Sequence, residues 1–66
     1  MKNNVRLLRK EKGITQEQLA ERIGVSRQTI NAIEKEKFDP SLPTAFKMAQ
    51  VFDQPIDAFF FFQETK

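Results

Sequence analysis

At 66 residues the chain has room for one domain, and a single core of that size is only just sufficient, so nearly every large apolar side chain is needed inside. It contains no cysteine and no histidine, which removes disulfides, thiolate metal sites and the commonest general base; no apolar run approaches the ~18 residues of a membrane span, and no signal-peptide pattern opens the chain, so a soluble cytoplasmic domain is expected. The net charge is only +2, but residues 1–37 carry nine Lys and Arg against five Asp and Glu, whereas residues 38–66 carry two against four, a basic half suited to a polyanion.

In chain order the pattern predicts helices and no strand. Met1, Val5 and Leu8 give a first helix over about residues 2–12, closed by Gly13 in a left-handed conformation. In ITQEQL, Thr15 is placed to cap and Gln18 to reach back, with Ile14 and Leu19 as a hydrophobic staple, so a second helix runs from about 16 to 23. Gly24 closes it. Ser26 opens a third helix almost at once, with Val25 and Ile30 as another staple. In DPSLP, Ser41 caps a fourth helix whose first turn holds Pro43 and whose inner face is read as Ala45, Phe46, Ala49 and Phe52. A short last helix follows Pro55, with Ile56, Phe59 and Phe60 at i, i+3, i+4 spacing. The expected architecture is a compact all-α domain of five short helices spanning residues 1–66.

The stretch VSRQTINAIE, residues 25–34, carries the functional signal. Ile30 and Ile33 face a core, while the opposite side bears Arg27, Gln28, Asn31 and the small Ala32, a face unlike the Glu and Lys of ordinary solvation. The longer run QEQLAERIGVSRQTINAIEK, residues 16–35, has a small residue in the second helix (Ala20), Gly24 at the turn and Ile30 inside the third helix. It resembles the helix-turn-helix of Cro and phage-repressor-like (Xre-type) transcription regulators. The resemblance extends across about residues 2–60, including KFDPSL and AFKMAQVF.

That resemblance implies a lambda-repressor-like fold and sequence-specific binding of double-stranded DNA, with repression as the family default. The third helix would lie in the major groove, where a guanidinium matches guanine O6 and N7 and an amide matches adenine N6 and N7. Arg27, Gln28, Asn31 and Ala32 are then the expected base readers. Gln16, Ser26, Thr29, Lys35 and Lys37 are the expected phosphate contacts, and Arg9 with Glu34 a pair joining the first helix to the end of the third. A homodimer on a palindromic operator is implied, because one domain presents few base-reading side chains.

Three positions depart from the family pattern. Glu36 stands where a Gly commonly ends the third helix, Asp53 and Gln54 replace a common Gly and apolar residue, and Pro55 takes a position often held by a capping hydroxyl. In the segment 56–62, Phe59 and Phe60 are assigned to the core, and Phe61 and Phe62 to a dimer interface, since one small core is unsuited to burying all four. No cofactor, metal or small-molecule ligand is expected. An enzyme would have to rest on unpaired carboxylates, lysines or a lone hydroxyl. A protein-interaction module, or an antitoxin-type partner protein using the same fold, is the alternative reading.

Overall fold

The computed structural model describes residues 1–62. The elements in order are β1 (Lys2–Asn3), α1 (Val5–Glu11), α2 (Gln16–Ile23), α3 (Arg27–Glu34), α4 (Leu42–Phe52), a 3-10 turn (Ile56–Ala58) and β2 (Phe60–Phe61). Every α-helix starts where a side-chain oxygen meets one of the amides that the first turn leaves unbonded. The Val5 N–H donates to Asn3 Oδ1 at 3.1 Å, the Gln18 N–H to Thr15 Oγ1 at 3.0 Å, the Thr29 N–H to Ser26 Oγ at 3.1 Å and the Thr44 N–H to Ser41 Oγ at 3.3 Å. At α2 the box closes reciprocally, with the Thr15 N–H donating to Gln18 Oε1 at 2.8 Å.

The four helix ends repeat one device. A residue with positive φ reverses the chain, and the N–H after it returns to a carbonyl five residues earlier: Ile14 to Arg9, Val25 to Ala20, Lys37 to Ala32 and Gln54 to Ala49. The reversing residues are Gly13 (φ 72°), Gly24 (φ 87°), Glu36 (φ 64°) and Asp53 (φ 54°). Both departures from the family's glycines therefore keep the left-handed geometry, at Glu36 with a Cβ that glycine would not have.

The core gathers Val5, Ile14, Leu19, Ala20, Ile23, Ile30, Ile33, Ala45, Met48, Phe52, Phe59 and Phe60. Phe52 and Phe59 meet edge to face, ring centroids 5.3 Å apart. Helix α4 turns inward Ala45, Met48 and Phe52, a single stripe at helical spacing. That phase swings Phe46 outward, 55% exposed, contrary to its expected place on the inner face; Ala49 lies beside the stripe, half-buried.

Both chain ends depart from the expected helices. The first helix begins at Val5, not residue 2, because Lys2 and Asn3 pair antiparallel with Phe61 and Phe60, so a strand pair exists where none was expected. The Asn4 N–H extends this pairing to the Phe59 carbonyl at 2.8 Å. The fifth helix is reduced to the 3-10 turn, closed by Ala58 N–H to Pro55 O and Phe59 N–H to Ile56 O. So short a helix has no stability of its own, and an extended aromatic segment that satisfies the N-terminal backbone replaces its continuation. Alternation along β2 then buries Phe60 and leaves Phe61 outside. Among the described residues no helix is long and apolar enough to cross a membrane.

Candidate nucleic-acid interface

The turn between α2 and α3 is three residues long, Gly24, Val25 and Ser26. Ala20 and Ile23 on one side and Ile30 and Ile33 on the other are buried between the two helices and the rest of the core. Packing of α2 on α3 fixes the opposite face of α3 outward. Arg27 and Gln28 are exposed in its first turn, whereas Asn31 and Ala32 are half-buried one turn further along.

The structure brings four of the expected residues to one place. Gln16 from the start of α2, with Arg27, Gln28 and Asn31 from α3, lines an open concavity of about 290 Å³. An adjoining hollow is lined by Arg9, Lys10, Gly13, Ile14, Thr15, Gln16, Glu17 and Arg27. A third joins Arg6, Arg9, Gln16, Asn31, Glu34 and Lys35. Arg6 and Lys10, which sequence reasoning had not singled out, thus stand beside the concavity with Arg27 and Lys35, and their cations raise the local positive potential. Their signal in the sequence was only the basic excess of the N-terminal half. Ala32 lines none of these surfaces, nor does Lys37, which lies past the end of α3.

Several of the expected side chains already have internal partners. The Ser26 hydroxyl caps α3 and shares a 2.9 Å hydrogen bond with the Thr29 hydroxyl. One hydroxyl proton of the pair is consumed in that bond, so one remains for an external acceptor. Gln16 Nε2 donates to Glu34 Oε1 at 3.0 Å and to Asn31 Oδ1 at 3.4 Å. The Gln16 side-chain nitrogen is therefore turned inward, and its backbone N–H, first in α2 and without a helical acceptor, is the donor left at the surface.

Beneath these groups Arg9 makes the expected link to Glu34. Its Nε donates at 2.6 Å and its Nη2 at 3.3 Å to the carboxylate, and its Nη1 to the Ile14 carbonyl at 2.9 Å. The two side chains are 10% and 4% exposed, so this is a structural ion pair in which each guanidinium nitrogen has an internal acceptor. Two further ties went unforeseen: Asn3 Nδ2 donates to the Ile33 carbonyl at 2.9 Å, and Lys47 Nζ to the Ile23 carbonyl at 3.3 Å. They satisfy carbonyls at the ends of α3 and α2 and so hold the two helices from behind.

A helix-turn-helix family model matches residues 5–59, which spans all four helices and the 3-10 turn. The chain belongs to the Xre-type helix-turn-helix family. Family membership extends over most of its length. It is 50% identical over 66 residues, all of both chains, to an uncharacterized HTH-type transcriptional regulator of Methanocaldococcus jannaschii. With a Bacillus subtilis protein of the same description it shares 44% identity over 64 residues, 97% of each chain. The crystal structure of a hypothetical transcription factor from Neisseria superposes with a TM-score of 0.73 at 34% identity. That match covers 80% of this helix-turn-helix chain and 60% of the Neisseria chain.

Proposed function

We propose that this helix-turn-helix protein is a sequence-specific, double-stranded DNA-binding transcriptional regulator that acts as a repressor, reading the major groove with α3. The observation that carries the proposal is the convergence of Gln16, Arg27, Gln28 and Asn31 on one open concavity with Arg6, Lys10 and Lys35 beside it. Planar amides and a guanidinium fit base edges, and the surrounding cations fit phosphates. The naming of relatives from Methanocaldococcus jannaschii and Bacillus subtilis as transcriptional regulators supports the same reading. In this proposal Arg27, Gln28 and Asn31 read bases, and Ala32 is the small residue that allows close approach. Gln16 through its backbone N–H, the Ser26 and Thr29 hydroxyl pair, Lys35 and Lys37 hold phosphates.

Two copies bind a palindromic site, with half-sites about one helical turn, roughly 10 bp, apart or a multiple of it. Phe61 and Phe62, 39% and 77% exposed, supply the apolar contact between the copies. Selection of bound duplexes from a random pool tests the proposal. Recovery of a two-fold symmetric motif is expected, and recovery of no motif would overturn it. A second reading, a protein-interaction module, is favoured by one observation, the further exposure of Phe38, Leu42 and Phe46. It would be preferred if the chain captured a protein and ignored every duplex.

A further inference from the structure

A hydrogen-bond chain beneath the recognition face has its polarity set by a buried charge. The Glu34 carboxylate, held by Arg9, can only accept, so the Gln16 amide that approaches it at 3.0 Å has to present its NH₂ group. The same NH₂ group reaches Asn31 Oδ1 at 3.4 Å. Reversing the Asn31 amide would set donor against donor, and reversing Gln16 would set a carbonyl oxygen against a carboxylate. The ambiguity of two amides is thereby resolved from below. Asn31 keeps its NH₂ group, and Gln16 its carbonyl oxygen, for the concavity that both residues line.

We infer that Glu34, acting through Gln16, fixes Asn31 as a hydrogen-bond donor toward the base edge, so that Asn31 selects a base with a major-groove acceptor and rejects cytosine. Purine N7, guanine O6 and thymine O4 accept; adenine adds an N6 amino donor beside its N7, whereas cytosine offers only its N4 amino group, a donor that would face the Asn31 NH₂. Glu34 is a positioning residue here. It is almost wholly buried, touches no base and acts on specificity by orienting an amide two links away. Without that orientation the Asn31 amide can turn through 180° and serve donors and acceptors alike. The inference rests on the proposed reading of DNA by α3.

The test is duplex selection with the unaltered protein and three variants, followed by relative affinities for all four bases at each position. Asn31→Asp keeps the oxygen that Gln16 binds but replaces the outward NH₂ with an oxygen, so at one position the order should invert toward the bases that offer an amino donor, cytosine and adenine, over guanine and thymine, by about tenfold. Glu34→Gln and Gln16→Ala should flatten discrimination at that same position to about twofold or less, while the positions read by Arg27 and Gln28 keep their ranking. Gln16→Ala leaves the Arg9–Glu34 pair in place, so its result stands even if Glu34→Gln fails to fold. An Asn31→Asp variant with an unchanged base order would overturn the inference. So would a Gln16→Ala variant that lowers affinity for every sequence alike. Failure of the unaltered protein to select any duplex would instead overturn the proposed function, and this inference with it.

Discussion

Replacing Glu36 by Gly should stabilise the protein. Glu36 ends α3 with φ 64°, the conformation that Gly13 and Gly24 hold at the ends of α1 and α2. Its side chain is exposed, and among the described residues no hydrogen bond or ion pair engages its carboxylate. A residue with a Cβ costs roughly 1–2 kcal/mol in this region, and glycine returns about 0.4–1 kcal/mol of that through its freer unfolded chain. The net is a gain of about 1 kcal/mol, or a melting temperature about 4–8 °C higher for a domain of this size, read by circular dichroism. Two controls isolate the cause. Gly13→Ala has no atom within 4 Å of the added Cβ, so its cost is the backbone's alone, about 1 kcal/mol net of the same unfolded-chain offset. Lys35→Gly, at a φ of −84° that any residue adopts, relieves nothing and should lower the melting temperature. A Glu36→Gly protein that melts no higher than the original, beside a Gly13→Ala protein that melts lower, would refute the reasoning.

Other perturbations separate the roles proposed for the surface. Arg27→Ala or Gln28→Ala should cost about 1–3 kcal/mol on the preferred site and relax discrimination at particular bases, whereas Lys35→Ala should weaken all sequences alike and flatten the salt dependence; titrations against a set of duplexes at several salt concentrations distinguish the patterns. A Phe61→Ser, Phe62→Ser double variant should keep its helical circular dichroism, because both rings lie outside the core, yet sediment as a monomer and lose cooperative binding to two half-sites. Arg9→Met leaves the Glu34 carboxylate, 4% exposed, without its cation and should cost about 3–5 kcal/mol in urea denaturation; Arg9→Met with Glu34→Leu should recover most of it.

What the amino-acid sequence determined by itself was whatever depends on neighbours a few residues apart. Thr15 with Gln18, Ser26 and Ser41 start their helices through side chains that reach amides three positions on, and Gly13 and Gly24 stop them through their own backbone freedom. The tight spacing around Gly24 and the polar face of Arg27, Gln28 and Asn31 are local in the same sense, which is why the helix-turn-helix and its candidate reading face are legible in the amino-acid sequence. Tertiary structure decided the rest. The phase of α4, which turns Met48 in and Phe46 out, depends on which stripe fits the other helices. The fate of the Phe run depends on backbone at Lys2 and Asn3, some 58 residues away in sequence, whose unpaired groups draw Phe60 and Phe61 into a strand where periodicity alone predicted helix. The orientation of the Asn31 amide depends on a carboxylate held by Arg9 from α1 and relayed by Gln16 from α2, a polarity that arises only when three helices meet.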